Sequence, residues 1–466
     1  MRSHPVALVL VLLGGSAHAA VKNVTNSTEL SAAIAAAVAG DEIVLADGTY
    51  ALTGASCSAV GTQALPIVVR AANHLGAKIE FNGAEGFKVS GAFWRFEDLD
   101  IKGVCPSDSN CEHAFHVTGA AHNFQLLNSR VMDFNAQLKV NASMIGAGYV
   151  TPNNGLIEGN ELGDTRARMT SNPTTKLNID TGDDWIVRRN YIHDFEKGMG
   201  DMVSYGAFFK SGGNRGIMER NLVICSTATG AMGGYRLGLS LGGGGTGAQF
   251  CAPAFNANTP CAVEHYGGTI RNNIIVNCSD VGIYLNKARD SHLLYNTLIA
   301  TNGIDFRYAA STGEAVGNVM GGIIRNREGA TSTQTSNLEN VILGVFDMMY
   351  ATPLTGDLTV TGNISMLTGA GPANAKVTDD YCGRTRPASG LTLGALEHTL
   401  GDCNTSMPTT DAGVTDDAGN NGGGDHTPME EPGGCCQSSG GATGALGALA
   451  PFALVAGGLL RRRRRS

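Results

Sequence analysis

The segments WIVRRNYI (185–192), GIMERNLV (216–223), GTIRNNIIV (268–276) and HLLYNTLI (292–299) share one frame. Each consists of alternating apolar residues, then an asparagine, then a second apolar pair. The asparagines are Asn190, Asn221, Asn273 and Asn296. Units that recur every 22–32 residues or so are too small to bury an apolar face alone, so they must stack as the coils of a solenoid.

The residue types within each unit indicate strands rather than helices. Ile, Val and Leu recur at period two, and Gly, Asn and Asp lie at the corners between the apolar segments. The sequence therefore predicts an all-β fold, a single-stranded right-handed parallel β-helix with asparagines stacked at one turn. We expect equivalent corners at Asn190, Asn221, Asn273, Asn296 and Asn318, with weaker copies at Asn128, Asn160 and Asn363.

A short helix is predicted before the first coil. Asn26 can cap it, Glu29 occupies its third position and Gly40 is expected to end it, so the helix covers residues 26–40. It would close the open end of the solenoid. From 41 to 400 no boundary is visible, and at roughly 25 residues per coil this span gives about 14 coils.

Both ends of the chain have the composition of targeting segments. Arg2, an apolar run and the small-residue site Ala17-His18-Ala19 predict a secretory signal over residues 1–19. The β-helix domain is assigned to 20–403. Residues 404–434 are rich in Asp, Gly, Thr and Pro, which is typical of a disordered acidic linker.

Residues 435–466 are predicted to be a sorting or membrane tail. Cys435-Cys436 precede an uncharged stretch of small and apolar residues, which ends in Arg461 to Arg465. This order resembles the C-terminal sorting tail of myxobacterial exported proteins. The resemblance implies processing near the cysteine pair, with display at the cell surface or release afterwards. An ordinary transmembrane anchor is the alternative and gives nearly the same location.

The charge balance restricts the partners. The formal net charge is −8, and it becomes more negative when Arg2 and Arg461 to Arg465 are set aside. An acidic chain of this kind is a poor match for nucleic acid. An acidic polysaccharide would need a local basic cluster. We expect a monomer that touches a membrane only through its tail.

The cysteines suit an oxidising compartment. Close spacing suggests the pairs Cys105–Cys111, Cys251–Cys261 and Cys382–Cys403. Cys225 and Cys278 follow the asparagines of successive units, so they can stack and form a fourth pair. Cys57 is then left without a partner. Metal ligation by cysteine is the alternative, but no Cys-x-x-Cys pair occurs in the sequence. No metal site is assigned.

Outward-facing residues of five strands between 177 and 307 define the candidate chemistry. Apolar alternation places two parallel columns on the outer surface. One column contains Asp180, Lys210, Gly242, Asn286 and Arg307, and its neighbour contains Asn178, Phe208, Ser240, Tyr284 and Asp305. Arg236 and His265 lie in adjoining loops and are expected to reach in. A plainer interpretation is open for each residue: Asp180–Lys210 and Asp305–Arg307 are then surface ion pairs worth about 0–1 kcal/mol.

Five segments carry a family resemblance. GDEIVLADGTY (40–50), LPIVVRAAN (65–73), NYIHDF (190–195), FFKSGGN (208–214) and RNLVICS (220–226) are similar to polysaccharide lyase family 6, the chondroitinase B and alginate lyase group. The resemblance spans about residues 40–310 and implies a right-handed parallel β-helix. In that family the lysine of the Lys-Ser-x-x-Asn element is the general base, which implies this role for Lys210.

The chain departs from the family at two places. The catalytic arginine of the family follows the next apolar strand, where this sequence has Gly242. The calcium-binding acids that precede the lysine are replaced by Val203-Ser204-Tyr205-Gly206. The cofactor is therefore left open: the resemblance implies calcium, but the ligand acids are not matched.

The sequence favours β-elimination on an acidic, uronate-containing polysaccharide. Lys210 is assigned as base, Arg236 or Arg307 as the group that holds the carboxylate, and His265 as acid. Substrate-binding residues are Asp180, Phe208, Tyr284, Asn286 and Asp305.

Two alternatives remain open. One is a non-catalytic glycan-binding or adhesion protein, which the missing arginine and acids favour. The other is a pectinase-type hydrolase, which needs two carboxylates on one face. Asp180 and Asp305 are expected to be about four rungs apart, which is too far for such a pair.

Overall fold

The computed structural model describes residues 19–227, 233–243 and 245–405. Residues 1–18 of the expected signal, the linker from 406 onward and the expected sorting tail lie outside the described residues. Within these three ranges, no helix is both long enough and apolar enough to cross a bilayer.

The chain winds into three long parallel sheets, because each coil contributes one strand to each sheet. The 12-stranded sheet contains, in order, Val21–Val24, Glu42–Leu45, Ile67–Ala71, Trp94–Glu97, Gln125–Leu127, Leu156–Glu158, Ile186–Arg188, Ile217–Glu219, Thr269–Arg271, Ser291–Leu294, Thr312–Val316 and Thr331–Thr335.

We call the second sheet, which has ten strands, the groove sheet. It contains Ala55–Cys57, Glu85–Val89, His113–Thr118, Ala136–Asn141, Thr174–Asp180, Val203–Lys210, Tyr235–Leu241, Ile283–Asn286, Gly303–Arg307 and Ile323–Arg327. The third sheet, here the back sheet, contains Gly48–Leu52, Ala77–Phe81, Asp100–Gly103, Arg130–Met132, Glu161–Gly163, Tyr191–His193, Leu222–Ile224, Ile274–Val276, Thr297–Ile299 and Val319–Met320.

The remaining elements are short. Ser143–Ile145 pairs with Gly148–Val150, and Tyr350–Thr352 pairs with Asp357–Val360. A three-stranded sheet joins Gly213–Asn214, His265–Tyr266 and Ala288–Arg289. The α-helices are Ser27–Ala35 and Leu343–Met349, and the 3₁₀ turns are Asp108–Asn110, Ala248–Phe250, Pro353–Thr355 and His398–Leu400. The predicted parallel β-helix is confirmed.

The core lies between the three sheets and follows from the alternation of apolar residues. In Ile67–Ala71 every second side chain is buried. Large aromatic side chains continue the core through successive coils, with Phe87 stacked on Phe115 at 5.2 Å and Phe96 edge-on to Phe115 at 4.9 Å. Burial of apolar area along the whole solenoid is the main source of stability.

The asparagine ladder is confirmed. The backbone N–H of Asn190 donates to the side-chain oxygen of Asn221 at 3.1 Å, and that of Asn221 donates to Asn273 at 3.0 Å. Asn273 donates to Asn296 at 3.0 Å, and Asn296 donates to Asn318 at 2.9 Å. Each buried amide therefore satisfies backbone groups of the neighbouring coil.

The ladder differs in detail from the sequence expectation. Asn160 belongs to it, but at the weaker copy near Asn128 the ladder position is taken by Ser129, whose N–H donates to Asn160 at 2.9 Å. Asn363 lies outside the coils and bonds only locally, to the N–H of Ser365. The turn has one residue with a left-handed backbone conformation, and this is the residue before the ladder asparagine, as at Arg189 with φ 55°.

The capping helix is shorter than predicted. Asn26 accepts from the N–H of Glu29 at 3.0 Å, and the N–H of Thr25 donates back to the Glu29 carboxylate at 2.8 Å, which is a capping box. The helix ends at Ala35, not at Gly40. Leu30 and Ile34 are buried against the first coil.

The coils end at Thr335, so the estimate of about 14 coils up to residue 400 was too large. Later residues pack on the outer face of the back sheet. There Leu222, Ile274 and Val319 form one apolar cluster with Phe346 and Leu393. This cover explains why back-sheet strands such as Tyr191–His193 and Leu222–Ile224 are buried on both faces.

The four proposed disulfides are all present: Cys105–Cys111, Cys225–Cys278, Cys251–Cys261 and Cys382–Cys403. Cys57 is a free, buried thiol, as expected. Cys225–Cys278 joins two successive coils just after their ladder asparagines.

Candidate functional site

The strand register confirms the two outward columns. Asp180 pairs with Lys210, and Asn286 pairs with Arg307. In the neighbouring column the pairs run through Asn178, Phe208, Ser240, Tyr284 and Asp305. The groove sheet therefore brings side chains from distant parts of the sequence onto one surface.

A groove with a volume of about 800 Å³ lies on this surface. Its lining includes five cationic and two acidic residues: Lys139, Lys197, Lys210, Lys287, Arg307, Asp201 and Glu264. Tyr205, Phe208, Tyr284 and Tyr308 add aromatic rings. On a chain with a net charge of −8, this surface is a local basic cluster.

At one end of the groove, two lysines share one carboxylate. Asp180 Oδ1 lies 3.2 Å from Lys210 Nζ, and Asp180 Oδ2 binds Lys139 Nζ. Burial raises the pKa of Asp180, but the charges of Lys139 and Lys210 overcome this effect and hold the pKa below its usual value. One negative charge therefore faces two positive ones, and the cluster keeps a net positive charge.

A buried carboxylate fixes the loop beside Lys210. Glu264 accepts from the N–H of Ser211 at 3.0 Å and from the hydroxyl of Thr246 at 2.6 Å. The carbonyl of Gly245 in this loop lies 3.4 Å from Lys210 Nζ. The loop thereby adds a carbonyl contact to the ammonium group.

Aromatic side chains form the floor of the groove. Phe208 and Tyr284 belong to one apolar cluster with Tyr205 and are largely buried, which differs from the solvated setting that an outward column suggested. Lys210 Nζ lies 4.8 Å above the Phe208 ring. An apolar floor below cationic walls suits a sugar ring with an acidic substituent.

At the other end of the groove, Arg307 contacts two rings. Its Nη1 lies 3.3 Å from the Tyr284 hydroxyl, and its guanidinium lies 4.7 Å from the centre of the Tyr308 ring. Burial raises the pKa of Tyr284, so the phenol holds its proton at neutral pH. Asn286 also lines this part of the groove.

Asp305 is placed differently from the expectation. It is buried and pairs with Arg325 at 2.8 Å and Arg327 at 2.6 Å, not with Arg307. Arg307 pairs instead with Glu328, at 2.9 Å. Asp305 does not line the groove, and its carboxylate is occupied by these two arginines.

His265 and Arg236 do not line the groove. His265 is buried, its Nε2 accepts from the N–H of Gly216 at 3.2 Å, and its ring packs on Phe209. Burial, with the charge of Arg215, lowers its pKa to about 3. Arg236 pairs with Glu196 at 3.2 Å. The expectation that these two side chains reach into the groove is therefore corrected.

Gly242 occupies a position that no larger residue can take. Its φ is +69°, and a Cβ atom built there would lie 1.9 Å from the backbone oxygen of Asn286 and 2.8 Å from Glu264 Cβ. The glycine is therefore required by the close approach of the next coil. An arginine at this position is excluded by the backbone, not merely absent from the sequence.

The residues present do not fit a calcium ion. Val203 and Tyr205 precede Lys210 on the same strand and face the groove at the positions where the family has its ligand acids. The cations Lys139 and Lys197 line the same region. Calcium requires several oxygen ligands, mostly carboxylates. The groove therefore offers cationic and aromatic side chains rather than a set of calcium ligands.

Sequence reasoning missed the groove residues supplied by other coils and loops. Lys139 comes from a strand about 40 positions before Asp180 in sequence, and Lys287, Tyr308 and Glu264 come from connections between strands. Lys139 could have been found by extending the Asn178 column one strand back, since the two residues are in register. The loop residues gave no periodic signal.

Comparisons with known proteins agree with the fold. A family model described as chondroitinase B matches residues 24–145. No curated protein matches the chain.

Solved structures to which this chain is similar include three lyases. An alginate lyase from Paenibacillus sp. str. FPU-7 is 15% identical, with a TM-score of 0.39, over 69% of this chain and 96% of that one. Pectate lyase Pel9A is 15% identical, with a TM-score of 0.47, over 79% and 90%. A PL6 family polysaccharide lyase from Pseudopedobacter saltans is 13% identical, with a TM-score of 0.34, over 73% and 96%.

The family match ends before the strand Val203–Lys210, so it does not reach the groove residues around Lys210. It covers the capping helix and the first coils, including the opening segments on which the resemblance was based. The resemblance of this chain to the polysaccharide lyase group that includes chondroitinase B is thus confirmed over residues 24–145.

Proposed function

We propose that the protein binds an acidic, uronate-containing polysaccharide in the groove and cleaves it by β-elimination. The observation that supports this most is the groove itself, in which five cations and four aromatic rings line one open surface of an acidic chain. An extended polyanion fits such a surface by charge, and its sugar rings fit the apolar floor.

The reaction needs a base, a group that holds the carboxylate and a proton donor. In our proposal the base is Lys210 in its neutral form, which removes the proton from the carbon next to the carboxylate. Lys139, which shares Asp180 with Lys210, neutralises the carboxylate of the reacting sugar. Arg307 lies three strands further along the sheet and holds the carboxylate of a neighbouring sugar, since a guanidinium can bind it with two hydrogen bonds. The electron pair released forms the new double bond as the glycosidic C–O bond breaks.

The leaving oxygen then takes a proton, and Tyr284 replaces His265 as the proposed donor. Tyr284 lines the groove, is protonated and contacts Arg307, whereas His265 is buried and neutral. Tyr284 lies two strands from Phe208 in the same column. A polymer chain bound along the column would pass both Lys210 and Tyr284.

A second candidate is a glycan-binding protein without turnover. Two observations favour it: Lys210 is paired with Asp180, and the arginine position of the family is closed at Gly242. The hydrolase alternative has less support. Three strands lie between the strand of Asp180 and that of Asp305, so the two carboxylates are about 19 Å apart at 4.8 Å per strand. Asp305 is also paired with two arginines.

A screen of uronate polymers tests the proposal. The purified protein is incubated with alginate, pectate, chondroitin sulfate and dermatan sulfate, and unsaturated products are followed by ultraviolet absorbance. Binding of each polymer is measured in parallel, with a neutral glucan as the control. Product from one acidic polymer supports the lyase. Binding without product in every case overturns the lyase and supports the glycan-binding candidate.

We also propose that the protein is exported and displayed at the cell surface, with release after processing as the alternative fate. The support is the composition of residues 1–19 and 435–466. Protease treatment of intact cells should remove the protein from the surface. Replacement of Cys435 and Cys436 by alanine should change the fraction retained on the cells, and an unchanged fraction would contradict processing at that pair.

A further inference from the structure

Three side chains on the groove sheet form a cluster that the proposed reaction does not use. Glu85 lies on Glu85–Val89, and His113 and His116 lie on the next strand, His113–Thr118. Nδ1 of His113 lies 3.1 Å from one Glu85 oxygen, and Nδ1 of His116 lies 2.9 Å from the other. Ligand atoms of all three residues lie within 4.8 Å of one another.

A local irregularity of the strand brings the two histidines together. In a regular strand, residues three apart point to opposite faces. Here Ala114 and Phe115 are both buried, so the alternation shifts by one residue between His113 and His116. Both imidazoles consequently lie on the outer face, next to Glu85. The spacing His-x-x-His on a strand therefore gives a convergent pair only because of this shift.

Hydrogen bonding fixes the role of each nitrogen of His116. Its Nε2 lies 3.2 Å from the side-chain oxygen of Asn141, an acceptor, so Nε2 donates. In the neutral ring Nδ1 then has a lone pair, and it lies 2.9 Å from a carboxylate oxygen of Glu85 while neither of these buried atoms has a hydrogen-bond partner. Two lone pairs at this distance repel each other unless a cation lies between them. That cation is either a proton or a metal ion.

We propose that Glu85, His113 and His116 form a binding site for a divalent transition-metal ion of the Zn²⁺ class. Two imidazoles and one carboxylate are a ligand set that zinc uses, and imidazole also suits Ni²⁺ and Cu²⁺. Ligand atoms about 2.1 Å from a tetrahedral ion lie roughly 3.4 Å apart, close to the separations in this cluster. The hydrogen bond from His116 to Asn141 is the outer-shell contact that typically orients a ligating histidine.

The surroundings separate this cluster from ordinary ion pairs on the chain. His74–Asp98 and His292–Glu314 each place one imidazole beside one carboxylate, which is too few ligands for a stable site. Two lysines flank His116 in register, Lys88 and Lys139. Lys88 is exposed and can turn away, and Lys139 is held against the carboxylate of Asp180.

The site adjoins the candidate groove without being part of it. His116 is in register with Lys139, and Lys139 lines the groove. A bound ion would therefore add positive charge about one strand spacing, 4.8 Å, beyond the groove lysines. This inference does not depend on the lyase activity, because metal binding is measured on the protein alone.

Calorimetric titration with zinc chloride tests the site. The full chain is prepared without a histidine tag and stripped with a chelator. We expect one ion per chain at this site, and separate Glu85→Gln, His113→Gln and His116→Gln substitutions should each weaken binding at least 10-fold or so. His292→Gln is the matched control and should keep the wild-type affinity. Co²⁺ should give visible ligand-field bands in the wild type that are lost in His116→Gln.

Two further results decide between a metal and a proton. If zinc raises the unfolding temperature of the wild type but not of the Glu85→Gln variant, the ion binds the folded cluster. If the wild type and the Glu85→Gln/His116→Gln double variant bind zinc equally, binding lies elsewhere on the chain and the proposal is overturned. Absence of zinc binding by the folded wild type also overturns the proposal.

Discussion

The ammonium group of Lys210 lies 3.2 Å from Oδ1 of Asp180, and the other oxygen of this carboxylate binds Lys139. The proposed base is thus held in an ion pair before substrate arrives. An acidic polymer in the groove would compete with Asp180 for the two lysines. Catalysis by Lys210 therefore requires that Lys210 leave this pair and lose its proton before it acts as the base.

Lys210→Met should abolish most of the lyase activity. The substitution keeps the aliphatic stem over Phe208 and removes the proton acceptor, so turnover of a cleaved uronate polymer should fall by roughly 10²–10⁴-fold. Steady-state absorbance assays measure this loss. Lys78→Met, at an exposed strand position on the back sheet, is the control and should keep full turnover. Near-wild-type turnover in Lys210→Met would exclude Lys210 as the base.

Tyr284→Phe should lower turnover while polymer affinity changes little. The ring remains in the apolar floor, but the hydroxyl that contacts Arg307 is lost, and with it the proposed proton donor. We expect a decrease in kcat of about 10²-fold. Tyr308→Phe is the matched control, because its ring lines the same groove. Equal effects of the two substitutions would argue against Tyr284 as the acid.

Gly242→Arg should destabilise the protein and should not improve activity. Its Cβ atom would lie 1.9 Å from the backbone oxygen of Asn286, so the coil must shift, at a cost of about 2–4 kcal/mol. Gly245→Ala is the control that separates backbone strain from steric collision. Gly245 also has a positive φ, of +77°, but a Cβ atom added there would have no neighbour within 4 Å. Urea denaturation of both variants measures the difference. A Gly242→Arg variant that is stable and more active would contradict the conclusion that position 242 cannot accept a larger side chain.

Asn221→Ala should cost about 2–4 kcal/mol of unfolding free energy. The buried amide accepts from the N–H of Asn190 and donates to Val187 O and to Asn273, and its removal leaves buried backbone groups without partners. Asn363→Ala removes one hydrogen bond at an exposed site and should cost under about 1 kcal/mol. Urea denaturation compares the two, and similar losses would refute the importance of the ladder.

His265 should make stability sensitive to acid. Its pKa is lowered to about 3 in the folded protein, against about 6.5 in the unfolded chain. Between these values the unfolded state binds a proton and the folded state does not. Stability is therefore lost as the pH falls below about 6.5, by up to about 1.4 kcal/mol per pH unit.

The variant His265→Gln tests this dependence. Its unfolding free energy should be lower than that of the wild type at pH 8 but should fall less steeply between pH 6 and pH 4. His74→Gln, at a half-exposed pair with Asp98, should keep the wild-type slope. Parallel slopes for the wild type and His265→Gln would show that His265 does not titrate as the buried geometry requires.

Local periodicity accounts for what could be predicted of the fold. Alternating apolar residues specify which side chains point inward, and this pattern also fixed the register of Asp180 with Lys210 and of Asn286 with Arg307. Cys225–Cys278 was also predicted, because each cysteine shortly follows the ladder asparagine of its coil and the two coils are adjacent. The helix end at Ala35 was not predicted, since helix boundaries depend on packing as well as on capping residues.

The sequence by itself determined the solenoid, its asparagine ladder and its outward columns, because each depends on residues that repeat within one coil. Only the tertiary structure decided which outward side chains are covered, paired or free to meet a ligand. His265 became a buried corner residue, Asp305 was taken by Arg325 and Arg327, and Lys139 joined the groove. The physical reason is that loops of unequal length connect the coils, so contacts between them follow packing in three dimensions and leave no period in the sequence.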